Sequence, residues 1–95
     1  MDKFILKVMR HLDNPELFTK DEMWENANNA WAVADAADAA WVAYAAADAY
    51  YAAYATTSYA TTSYAVSDAN YWIDEYFKKT KENKQDYINE VERLR

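Results

Sequence analysis

The residues of this 95-residue chain best able to do chemistry are aspartates. Asp35 and Asp38 stand three apart and would share one face of a helix, and Asp48 would sit about 80° round from Asp38. Paired carboxylates can hold a divalent cation or act as general acid and base. Here each aspartate is flanked by alanines, and no histidine or third carboxylate completes a ligand set. His11, the only histidine, lies beside Leu12 near an expected helix end and reads as a surface or capping residue. The chain has no cysteine, hence no thiol nucleophile, zinc ribbon or disulfide framework, and no glycine, hence no phosphate loop or dinucleotide fingerprint. The expectation is a protein that is not an enzyme, with no catalytic residue, no metal ligand and no cofactor.

Charge and aromatic content point instead to binding. Residues 21–77 carry nine acidic groups and no Lys or Arg, while the flanking residues 1–20 and 78–95 sum to +1 and +2. Such a middle repels nucleic-acid phosphate, so direct DNA or RNA binding is not expected. It favours basic protein surfaces, including those of nucleases and other nucleic-acid-binding complexes. Thirteen of the sixteen aromatic residues fall between Trp24 and Phe77, within the same cation-free stretch. Tyr and Trp combine area with a polar handle and are enriched at interface hot spots. The expected partner-binding residues are Asp35, Asp38, Trp41, Asp48, Tyr51 and Tyr54, with Tyr50, Tyr51, Tyr54, Tyr59 and Tyr64 the tyrosines expected at the surface. Strict mimicry of DNA meets a spacing objection: Asp38 and Asp48 would lie about 15 Å apart along a helix, against a duplex charge about every 1.7 Å.

These side chains must be positioned by helices. Phe4, Ile5, Val8, Met9 and Leu12 form one apolar stripe, which predicts a short helix over 3–13, stopped before Pro15. Thr19 with Glu22 makes a capping box, and Phe18 with Met23 a hydrophobic staple, so a second helix should begin at Lys20. Alanine fills 19 of the 43 positions from Ala27 to Ala69. With no glycine and no proline to interrupt it, the alanine carries the expected helix from 20 to 55. Its aromatics rotate round several faces, so it should be a central element with neighbours on several sides. Ser and Thr in the literal repeat TTSYATTSYA favour caps, placing a break within 56–67 with Ser58, Ser63 or Ser67 as candidate caps. Helices over 68–79 and 83–94 follow, and the stripe Tyr87, Ile88, Val91 and Leu94 should pack against the first helix. The fold class is all-α: a helical hairpin or a small bundle of three to four helices in one domain.

A different architecture competes. Asn28, Asp38, Asp48, Ser58 and Asp68 recur every ten residues and Tyr54, Tyr59 and Tyr64 every five, a period that suits a pentapeptide-type β-solenoid. Alanine at this density argues for helix instead. The uncharged run Ala49–Ser67 holds five Tyr, four Thr and three Ser but no Leu, Ile or Phe, so a membrane span is not expected. Met1–Leu12 lacks the continuous apolar core of a secretory signal, and a cytoplasmic location is the expectation. One small domain cannot easily cover thirteen rings, so a homo-oligomer is expected as well.

The runs ADAADAAW at Ala34–Trp41, YYAAYA at Tyr50–Ala55 and ENKQDY at Glu82–Tyr87 resemble those of small Ala/Tyr/Asp-rich proteins of tailed bacteriophages. The resemblance spans most of the chain and implies a phage accessory protein in the host cytoplasm, of the kind that blocks a host enzyme or defence complex. It carries no functional residue with it. The alternative class is a self-assembling helical structural protein with a Tyr-rich subunit interface, and a third is an aromatic pocket for a cationic ligand.

Overall fold

The computed structural model describes residues 1–33, 37–54 and 59–95, with side chains for all of these except 37–39, 53–54 and 59–63. Among the described residues it contains five helices and no strand: α1 (Lys3–Asp13), α2 (Lys20–Ala32), α3 (Ala37–Tyr54), α4 (Tyr59–Lys79) and α5 (Lys84–Arg93). The protein is an all-α bundle, and the solenoid alternative falls because the five- and ten-residue repeats lie largely in helix.

Local chemistry sets the helix starts. Asp2 caps α1, its carboxylate accepting from the backbone N–H of Phe4 and Ile5 at 2.9 and 3.0 Å. Thr19 and Glu22 close the capping box of α2 in both directions, at 3.1 and 3.0 Å. Asn83 caps α5 by accepting from the Gln85 N–H at 2.8 Å.

Helix α2 does not run on to 55: it ends at Ala32, with Val33 as its C-cap, and helix resumes at Ala37. Nothing in an alanine run marks a stop. The reason for the reversal is tertiary, because a continuous 36-residue helix would be about 54 Å long in a molecule whose longest extent is 37 Å. An alanine-rich helix buries apolar area only by lying against others, and the chain doubles back to provide them. Trp31 meets Tyr44 edge-on, and Trp24 lines a groove with Tyr50, so α2 and α3 run antiparallel. Most of the expected break at 56–67 is also helix, since α4 starts at Tyr59; residues 55–58 lie outside the described residues.

Helix α3 is the central element, packed against α1, α2 and α4. Val42, Ala43, Ala45, Ala46, Ala49 and Ala52 are buried, covering about half of its circumference. Methyl side chains let three helices approach closely at the cost of little apolar area per residue. Ile5 and Val8 of α1, Met23 of α2 and Ile73 and Tyr76 of α4 supply the bulk.

The two ends of the chain pack together as expected, α1 against α5. The Tyr87 hydroxyl accepts from the Asp2 backbone N–H at 2.5 Å and donates to Glu82 at 2.7 Å. The Tyr76 hydroxyl also donates to Glu82. Burial chiefly, then the Glu82 carboxylate, pushes the Tyr87 phenol well above its ordinary range. Arg95 grips Asp13 through two hydrogen bonds, at 2.5 and 3.0 Å.

Candidate binding surface

Helices α2, α3 and α4 form a layer with two unlike faces. One face is covered by α1, which packs against all three helices and against α5, whose Tyr87 also reaches Phe77 at the end of α4. The other carries a row of rings that crosses the layer. Trp31 of α2 meets Tyr44 of α3 edge-on at 5.4 Å between centroids, Tyr44 meets Trp72 of α4 at 4.8 Å, and Trp72 meets Tyr71 at 5.0 Å. Trp31, Tyr44 and Tyr71 remain 48%, 39% and 56% exposed, so among the described residues nothing covers the row.

Sequence spacing on α3 explains the placement. Trp41, Tyr44, Asp48 and Tyr51 step by three, four and three and fall on one side of the helix, opposite the buried alanines. Asp48 is half-buried at the α3–α4 seam, near the Trp72 indole and the exposed Asp68 of α4. Burial, and secondarily the like charge of Asp68, raises its carboxyl pKa from 3.8 to about 6, against the lowering effect of the Trp72 hydrogen bond.

Of the six residues expected to bind a partner, Trp41, Asp48 and Tyr51 are described on this side of α3 but are not one cluster. Trp41 is half-buried beneath the Lys79 ammonium, 5.6 Å from its ring, and is thereby partly withdrawn. Tyr51 is 55% exposed and touches Tyr50 at 5.6 Å. Asp35 and the side chains of Asp38 and Tyr54 lie outside the described residues. Tyr50, expected at the surface, is half-buried against the core, whereas Tyr64 is exposed as expected; the Tyr59 side chain lies outside the described residues. Trp31, Tyr44, Asp68, Tyr71 and Trp72 were not among the expected contacts. Tyr44 was within reach, four residues before Asp48 on the same helical side, but the others depend on which helices neighbour α3.

His11 also departs from expectation. It is buried, not at the surface, and among the described residues its Nδ1 has no hydrogen-bond partner. Burial pushes its pKa below the ordinary value. No group of three or more His, Cys, Asp or Glu that could hold a metal ion occurs among the described residues, and no helix of the described residues is long and apolar enough to cross a membrane. No family model, no curated protein and no solved structure matches the chain.

Proposed function

We propose that this is a non-enzymatic acidic binding protein that blocks a basic protein surface, such as that of a nuclease or a nucleic-acid-binding complex. The observation that carries the reading is the uncovered Trp31–Tyr44–Trp72–Tyr71 row, which lies within a 57-residue stretch holding nine carboxylates and no cation. The rings supply area that is desolvated on contact, and the carboxylates supply long-range attraction and register. The likeness of its Ala/Tyr/Asp runs to small tailed-phage proteins supports a phage accessory role in the host cytoplasm, directed against a host enzyme or defence complex.

The test is capture from a bacterial host lysate by the wild type and by the variant carrying Asp35→Lys, Asp38→Lys and Asp48→Lys. The expected result is a basic protein that the wild type retains, that is released as salt rises and screens the opposing fields, and that the variant does not retain. Retention of nothing, or equal retention by both, counts against the reading. A self-assembling structural protein is the second reading, favoured by the same uncovered rings. Light scattering separates the two: a monomer of 11.0 kDa at micromolar concentration leaves the rings for a foreign partner, and a larger particle assigns them to the subunit interface.

A further inference from the structure

Tyr44 of α3 meets Trp72 of α4 at 4.8 Å, and one turn further along the antiparallel pair, four residues on from Tyr44 and four back from Trp72, stand Asp48 and Asp68. Two carboxylates thus face each other within a stretch of sequence that supplies no cation of its own. The chain's three arginines are already held elsewhere in the fold: Arg93 pairs with Glu90, Arg95 with Asp13, and Arg10 lies 5.3 Å over the Phe18 ring. Lys78 and Lys84 pair with Glu75 and Asp74, and Lys79 caps Trp41. A cation from another molecule could relieve the Asp48–Asp68 repulsion and also lie on the rings.

A guanidinium suits both features. It is planar, stacks on aromatic faces, is more weakly hydrated than an ammonium and presents a fork of N–H donors to carboxylates. Lysine offers a compact, strongly hydrated charge that matches the carboxylates but gains less from the ring faces. Resting on the reading just given, we propose that the centre of the uncovered face is a seat for an arginine side chain of the basic partner. In it the guanidinium lies against the Tyr44 and Trp72 rings, and its N–H edge is turned to Asp48 and Asp68. The other rings, Trp31 and Tyr71, enclose the seat and exclude water from it.

The probe is an eight-residue peptide of alternating alanine and arginine, acetylated and amidated, compared with its alanine–lysine counterpart of equal charge. Binding is followed through the indole N–H signals in a proton–nitrogen correlation spectrum. The arginine peptide should shift the Trp72 and Trp31 signals, leave Trp41 under Lys79 unmoved, and bind about tenfold more tightly than the lysine peptide. Asp68→Asn, at an exposed position that does not support the core, should weaken the arginine peptide about fivefold. Tyr44→Ala should erase the preference for arginine over lysine while circular dichroism shows the helices intact. Equal binding of the two peptides, or binding that leaves Trp72 unmoved, removes the arginine seat but leaves the acidic-surface reading standing. Binding of neither peptide removes both. Indole shifts that grow with protein concentration alone assign the face to a second copy of the chain, and the seat falls.

Discussion

The block formed by α1 and α5 and the layer formed by α2, α3 and α4 are held together in different ways. In the block, large side chains do the packing: Ile5, Val8 and Tyr87 are almost fully buried, and long-range polar contacts tie residue 2 to 87 and residue 13 to 95. In the layer, the alanines of α3 pack around a few large groups, Met23, Ile73 and Tyr76, and several others are pushed to the rim or out of it, as Tyr44, Tyr51 and Tyr71 show. Bulk is therefore buried where the ends of the chain are anchored, while in the layer much of it stands at the outer face, where the fold has no use for it. That division makes the layer's outer face available for binding without drawing on the core. It also sets how each region should fail.

The anchored block should fail by truncation. Tyr87 is 1% exposed, sits in the core cluster beside Phe77 and joins Asp2 to Glu82 through its hydroxyl. Tyr87→Ala should cost about 4 kcal/mol, a large share of the total for a domain of this size, and urea unfolding would read it. Tyr87→Phe keeps the ring and strands only its polar partners, so about 1–2 kcal/mol is expected. Similar losses from the two variants would mean that the hydrogen-bond hub, rather than the ring, anchors the block.

The alanine layer should fail by enlargement. Ala46 is 0% exposed on the central helix, so Ala46→Leu must separate helices that approach over methyl groups, at about 2–3 kcal/mol. Were the leucine accommodated without loss, the layer would be loosely packed and the contrast with the block would dissolve.

Acidity divides the regions in opposite senses. Asp48 holds its proton more tightly in the folded protein than in the unfolded chain, so its contribution to stability is full below about pH 4 and is lost as pH rises through about 6. A rise of that size is worth about 3 kcal/mol at an enclosed site, but Asp48 is half-buried, and screening by solvent brings it to about 1 kcal/mol. Asp48→Asn should accordingly stabilise the protein by about that amount at pH 7 and by nothing near pH 3.5. His11 in the block behaves in reverse. Its folded pKa is lowered by burial, so the unfolded chain takes up the proton first and stability falls as pH drops below the unfolded value of 6.5. His11→Leu should flatten that decline in a pH series of denaturation midpoints. Because the two effects oppose each other between pH 5 and 7, the single variants separate them. Asp48→Asn should leave the His11 decline towards acid and His11→Leu the Asp48 decline towards neutral pH, and profiles flat from pH 5 to 7 in both variants would contradict both assignments.

What was legible in the sequence follows the same division. The amphipathic stripe of α1, the α5 stripe and their mutual packing were all readable, because bulky side chains at helical spacing state which face is inward. The start of α2 at Lys20 was readable from Thr19 and Glu22, and Thr19→Ala should cost about 1 kcal/mol by thermal unfolding. The reversal after Ala32 was not readable, since alanine states helix but neither its direction nor its end. For the same reason the ring row was missed: Trp31, Tyr44 and Trp72 lie far apart in sequence and meet only because three helices align. Spacing on one helix could suggest Tyr44 beside Asp48, but not Asp68 opposite it.

The smallest expected effect on stability is at the outer face. Tyr71 is 56% exposed and touches Trp72 at its edge, so Tyr71→Ala should change stability by no more than about 0.5 kcal/mol. That near-neutrality is what separates a binding ring from a structural one. A ring that holds the fold together is costly to remove from the free protein, as Tyr87 should be. A ring kept for a partner costs little in the free protein and about 2 kcal/mol or more in the complex if it sits at the centre of the contact. Measuring Tyr71→Ala in both settings, by unfolding and by affinity for the captured partner, places it on one side or the other. A loss of about 2 kcal/mol in the free protein would make the outer face part of the fold's own support, and the division between anchored block and presenting layer would have to be redrawn with α4 on the structural side.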